Sequence, residues 1–234
     1  MQNPTTKTPV TKCLDLAAYS GRMLGKFPDT PALAPLAVKM AAAAKALEDS
    51  QAAYAASVTA ILPTRVDVKY ENFVSDRRIR ITQQKAEMAD GKKNGAIASQ
   101  AFPDGSAPII RLVGMSQVDQ MVALEGRLAA LAPLWSDAAA EAKVIGQFRS
   151  AYKKAVDGRT KAGQAATNLR AVRDVAKEAF LTTYDEITSR VSAEFPRDTQ
   201  MQDIFFDDAR ANSAAQQADD PAAVTPAEGA TTTP

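Results

Sequence analysis

Eight basic side chains are the residues best spaced to do chemistry. Arg149, Lys153, Lys154, Arg159 and Lys161 surround an Asp157-Gly158 step, and Arg170, Arg173 and Lys177 follow at i, i+3 and i+7. The last three fall on one helical face, a stripe suited to nucleic-acid phosphates or anionic lipid. A smaller basic cluster is Arg77, Arg78, Arg80 and Lys85. Charge is uneven along the chain: residues 1–181 hold 25 Lys+Arg and 17 Asp+Glu, residues 182–234 hold 3 and 10. Three features weigh against an anion-binding role. The net charge is only +1, no aromatic residues interleave the stripe, and the acidic C-terminal segment could cover the same face. The plainer reading is a solvated helix surface.

Other chemistry is scarce. The chain has no His. That excludes a Ser-His-Asp triad, a Cys-His pair, an HExxH zinc site and a Glu-x-x-His di-iron site. The single Cys13 excludes an intrachain disulfide, and its activation as a nucleophile would need Lys12 or a helix N-terminus. Asp203, Asp207 and Asp208 form the one tight acidic group, without the rigid oxygen-rich loop that hard cations want. Gly158-Arg159-Thr160-Lys161-Ala162-Gly163 spaces its glycines as a Walker A loop does, but Gln164-Ala165 stand where Lys-Ser/Thr belongs. Asp90 to Gly95 fits no nucleotide motif. The sequence therefore predicts no catalytic residues, no metal site and no cofactor. Ile204, Phe205 and Phe206, flanked by acid, are either an apolar plug closing a bundle end or a short motif for another protein.

The elements that carry these residues are helical. The chain has 234 residues, of which 47 are Ala. The clearest periodicity is Leu33, Leu36, Met40, Ala43, Leu47, Ser50, Tyr54, Ser57 and Ile61, an a/d seam over four heptads. Thr30 and Pro31 read as its start. Pro63 predicts a kink or a stop and restart, with Thr64 and Asp67 as an imperfect capping box. Residues 65–90 then continue as helix, with Val66, Tyr70, Phe73, Ile81 and Met88 expected inward. Strand is the rival for Arg65 to Tyr70, whose residues alternate. Residues 91–115 form the main break, with Phe102-Pro103-Asp104-Gly105 as a turn. Ser116 and Asp119 open a third helix, and Met121, Leu124, Leu128, Leu131, Trp135, Ala138, Ala142 and Ile145 form its seam. Pro133 should kink or split it, and Asp157-Gly158 should end it. A fourth helix over about 160–195 carries Leu169, Val172, Ala176, Phe180, Ile187, Val191 and Phe195 inward. Residues 10–25 read as a short amphipathic helix with Leu14, Ala17, Gly21 and Leu24 on one face.

Phe-Pro punctuation recurs at Phe27-Pro28, Phe102-Pro103 and Phe195-Pro196, each with an Asp close behind. The Phe can anchor a turn in the core while the Pro stops the helix. The long Ala-rich helices, the Phe102-Pro103-Asp104-Gly105 hinge and the hairpin ending in Phe195-Pro196 resemble a group of uncharacterised bacterial helical proteins over residues 32–208. That resemblance implies a helical bundle and no activity.

The expected fold is all-α: an elongated antiparallel four-helix bundle, coiled-coil-like, with short capping helices at both ends. Its parts are an N-terminal arm over 1–30, a bundle over 31–196, a short acidic helix over 197–210 and a disordered tail over 211–234. No run of 18 apolar residues and no apolar N-terminal stretch occur, and one Cys suits a reducing compartment, so a cytoplasmic location is expected. The expected function is a non-catalytic structural or interaction bundle, possibly self-associating. The runner-up is a module for nucleic acid or an anionic membrane surface, acting through the 149–177 stripe.

Overall fold

A computed structural model describes residues 3–207. The tail expected at 211–234, and Asp208 of the acidic group, lie outside the described residues. Among the described residues the regular structure is entirely helical: α1 (Val10–Leu24), α2 (Ala34–Thr59), α3 (Ile61–Ala89), α4 (Ala96–Ala101), α5 (Ala107–Ile110), α6 (Met115–Ala130), α7 (Ala138–Glu194) and α8 (Thr199–Ile204). The alternating Arg65 to Tyr70 segment is helix, not strand.

The chain divides into two compact units. A terminal unit joins the two chain ends, up to Val58 and from Ala166, and a central unit runs from Thr59 to Ala165. This division differs from the one expected at residues 30 and 196. In the terminal unit, α1 is no loose arm: Val10, Cys13, Leu16 and Leu24 share one core with Leu36, Met40 and Leu47 of α2 and Phe180, Tyr184, Ile187 and Val191 of α7. The face α1 buries is rotated from the expected one, with Leu14 only partly covered. Leu33, Leu36, Met40, Leu47 and Tyr54 of the expected seam are buried. Lys39 pairs with Glu186, and the Arg173 guanidinium stacks 4.6 Å over the Tyr54 ring.

The Phe-Pro turns work as the sequence suggests. Phe27 packs 4.8 Å from Phe205, which stacks 5.6 Å from Phe195, so the two terminal turns share one aromatic cluster. Asp198 then caps α8 by accepting the Met201 N–H at 2.9 Å. In the central unit Gly105 N–H closes the turn onto the Phe102 carbonyl at 3.0 Å. Met121, Leu124, Leu128, Leu131, Trp135, Ala138 and Ile145 form the core there with Ile79, Ala86 and Ile97.

Of three expected boundaries, two resolve an open alternative and one is overturned. The break before Pro63 is a single residue, Ala60, whose dihedrals stay helical, so Pro63 falls in the first turn of α3 where its missing N–H costs little. Thr64 does not cap there; its hydroxyl donates to the Ile61 carbonyl instead. Pro133 splits rather than kinks, leaving residues 131–137 between α6 and α7. Asp157-Gly158 does not stop a helix at all: α7 continues through Gly158 and Gly163 to Glu194. Each glycine costs a helix about 1 kcal/mol, too little to break one with strong helix formers on both sides.

Candidate functional site

The central unit holds a polar site that begins with the first turn of α7. Glu141 is 4% exposed. Its carboxylate is held by α3: Arg78 pairs with Oε2, Thr82 donates to Oε2 at 2.9 Å, and Lys85 donates to Oε1 at 2.6 Å. Residues 78, 82 and 85 stand at i, i+4 and i+7, one face of one helix. Burial alone would raise the Glu141 pKa. The Lys85 and Thr82 hydrogen bonds and the Arg78 charge outweigh it and hold the carboxyl below its ordinary value. One turn away, Asp76 accepts from Gln117 Nε2 at 2.6 Å, and burial raises its pKa despite that bond and Arg80. The Tyr152 hydroxyl accepts the Gly114 N–H at 2.7 Å, and burial pushes its pKa up. These groups are an interlock between helices.

The inward face of α3 is therefore polar or small except at Ile79. Its buried residues are Ser75, Ile79, Thr82 and Ala86. Ser75 Oγ, Asn72 Oδ1 and Arg78 Nε are buried without a hydrogen-bond partner among the described residues. The outward face is apolar. Leu62 (61%), Val66 (59%), Tyr70 (62%) and Phe73 (61%) are exposed, spaced 4-4-3 along one face of the helix. This overturns the expectation that Val66, Tyr70, Phe73 and Met88 point inward; only Ile81 is partly covered. Apart from Ile79, α3 meets its neighbours through polar and small side chains, and these four large apolar residues lie on the other face. Beside this ridge an open groove of about 610 Å³ lies between Tyr70, Val74 and Ile81 of α3 and Phe148 and Ala151 of α7.

The eight basic residues singled out from the sequence are divided between the units. In the central unit Arg149 pairs with Glu125, and Lys153 bonds Asp157 at 2.6 Å one turn on. Lys154, Arg159 and Lys161 are surface positions on α7. In the terminal unit Arg173 is 9% exposed, held by Tyr54 and by Asp174 at 2.7 Å. Lys177 donates to the Thr6 carbonyl at 2.9 Å. Arg170, Arg173 and Lys177 line a pocket of about 430 Å³ with Lys7 and Pro9, beside the first turn of α1. That turn has no side-chain cap.

The remaining candidates take structural positions. Phe205 and Phe206 are buried in the terminal core and Ile204 is 39% exposed. Asp207 reaches Lys12 at 3.5 Å. Cys13 is fully buried, with Sγ 3.9 Å from the Thr8 carbonyl. The Gly158–Gly163 stretch is helix and cannot form a phosphate-wrapping loop. Asp90 ends α3 and caps α4, accepting the Ile97 and Ala98 N–H groups at 3.0 and 2.8 Å. Any side chain at Gly95 would collide with that carboxyl. No helix among the described residues is long and apolar enough to cross a membrane. The chain matches no family model, no curated protein and no solved structure.

Proposed function

We propose that this protein is a non-catalytic, cytoplasmic interaction module that docks another protein chain on the outer face of α3. The observation behind this reading is the inverted helix: four large apolar side chains outside, Ser75, Thr82 and the Glu141 interlock inside. Scattered exposed apolar residues are ordinary, but a periodic row on one helix face is what helix-in-groove recognition uses. The reading includes the antiparallel four-helix arrangement expected from the sequence. Two observations favour it: residue 39 meets 186 while 54 meets 173 in the terminal unit, and 82 meets 141 while Val74 faces the same groove as Phe148 in the central one.

The test is site-specific photo-cross-linking in the native host. A p-benzoylphenylalanine at position 73 should give discrete protein adducts. The same group at position 38, an isolated exposed valine of the terminal unit, should give none. No adduct at 73, or equal adducts at both positions, ends the reading.

A second reading keeps the basic stripe as an anion-binding surface. The pocket beside the uncapped turn of α1, lined by Arg170, Arg173 and Lys177, favours it, because an uncapped helix start attracts negative charge. It ranks second because Arg173 and Lys177 already have partners within the chain.

A further inference from the structure

Resting on the reading of the α3 face as a protein-docking surface, we infer the chemistry of its occupant: an acidic amphipathic helix from another protein. The argument starts from charge. The face that carries Leu62, Val66, Tyr70 and Phe73 continues one and two turns on into Arg77 and Arg80, with Lys69 at its edge. All three are exposed and form no ion pair or hydrogen bond among the described residues, although Arg80 is near enough to Asp76 to lower its pKa. The nearest acids on the same helix that no hydrogen bond holds, Asp67 and Glu71, lie about 80° and 120° around the axis from Arg77, at 100° per residue. The surface is therefore an apolar ridge that ends in positive charge engaged by no ion pair among the described residues. A helix with apolar residues at i, i+4 and i+7, and Asp or Glu at the end facing Arg77 and Arg80, satisfies both parts.

Shape points the same way. Tyr70 and Arg77 belong both to the ridge and to the groove of about 610 Å³ that runs beside it. A groove walled by Val74, Ile81 and Phe148 can take a leucine or an aromatic anchor from a docked helix. A flat bilayer cannot fill it. A second copy of this chain offers the same apolar row with the same positive end, so its charges repel or go unanswered. The chain's own C-terminal segment, residues 208–234, has Val224 as its one large apolar residue and cannot supply a row of anchors.

The experiment uses the full chain and two synthetic helical peptides with the same Leu row, one flanked by Glu and one by Lys, read by fluorescence anisotropy. The Glu peptide should bind about tenfold or more tightly than the Lys peptide, and less tightly as salt rises. Arg77→Glu/Arg80→Glu should invert that preference, with circular dichroism confirming an unchanged helix content. Phe73→Ser should weaken both peptides. Equal binding of the two peptides, or a preference that survives the double reversal, overturns the inference. So does binding to phosphatidylcholine/phosphatidylserine vesicles that Phe73→Ser abolishes, which would make the occupant lipid. Chain-to-chain cross-links from position 73 also overturn it, in favour of a second copy. If neither peptide binds while position 73 still cross-links other proteins, the occupant is wrong and the docking face stands. If both experiments are blank, both readings fail.

Discussion

The terminal and central units use the same long alanine-rich helices and arrange their side chains in opposite ways. In the terminal unit the aromatic and most of the large apolar residues go inward, although Val172, expected inward, is 55% exposed. Phe27, Phe195 and Phe205 lock the ends, Phe180 and Tyr184 fill the middle, and the one nearly buried cation, Arg173, lies over an aromatic ring. In the central unit α3 turns Ser75, Thr82 and the partners of Glu141 inward and leaves Tyr70 and Phe73 in solvent. Burying apolar area is the main favourable contribution to folding, so a helix that buries polar groups and exposes aromatics is held by less than its composition offers. The terminal unit is organised for stability. The central unit leaves the apolar row of α3 exposed.

The largest test of this contrast is Phe180→Ala. Phe180 is fully buried beside Tyr184, and its truncation should cost about 4 kcal/mol, seen as a lower urea midpoint. The equivalent truncation on the other side, Phe73→Ala, should stay within about 0.5 kcal/mol. If Phe73→Ala also destabilises strongly, the two units do not differ as described.

Next in size is Glu141→Gln. It leaves Arg78 facing a neutral amide at a site only 17% exposed on the arginine side and 5% on the glutamate side. The expected loss is about 3 kcal/mol at pH 7. The pH dependence follows from the direction of the shift. The folded Glu141 pKa is below 4.5, so its stabilisation is present above that value and is lost as pH falls through the lowered folded one. Wild type should therefore lose stability on acidification more steeply than Glu141→Gln, and the two unfolding curves should converge at low pH. Asp76 has the opposite sign. Its raised pKa means that stability is lost as pH rises from 3.8 through the folded value, so Asp76→Asn should not reproduce the acid-side loss. Parallel pH profiles for wild type and Glu141→Gln would show that the interlock carries no net stabilisation.

What the sequence revealed follows from the same contrast. The seam Leu36, Met40, Leu47, Tyr54 and the run Met121 to Ile145 were legible because large apolar residues at heptad spacing were in fact the buried ones. The terminal aromatic cluster was foreshadowed by Phe27-Pro28 and Phe195-Pro196, whose prolines fix the turn while the phenylalanines reach inward. In α3 the same rule pointed the wrong way. Its core residues are Ser75, Ile79, Thr82 and Ala86, of which only Ile79 is large and apolar, so they carry no periodic apolar signal, and the spacing points instead to Val66, Tyr70 and Phe73, which the packing leaves exposed. The Glu141 interlock has a signal in the sequence: Arg78, Thr82 and Lys85 share one helix face, and Glu141 is the one acid in the run from Ala138 to Ile145. Spacing names the face, but which acid answers it depends on how two helices distant in sequence pack. The basic stripe illustrates the same limit, since Tyr54 and Asp174 engage Arg173 from neighbouring positions that spacing cannot identify.

The smallest effect sharpens the reading of α7. Gly158, expected at a helix end, and Gly163 are both helix interior, with nothing within 4 Å of the position a Cβ would occupy. Around them, Lys153 pairs with Asp157 and the Thr160 hydroxyl bonds the Val156 carbonyl, contacts that a methyl group at 158 or 163 leaves in place. Replacing both by Ala removes two flexible points from the unfolded chain and adds helix propensity, so Gly158→Ala/Gly163→Ala should stabilise by about 1–2 kcal/mol. The gain should appear as a higher urea midpoint with an unchanged helical signal. A loss of stability would mean that the helix does not run continuously through these positions, and that Asp157-Gly158 is the boundary its residue types suggest. A gain that leaves cross-linking at position 73 unaltered would show that the continuity of α7 and the docking face of α3 are separate properties of the chain.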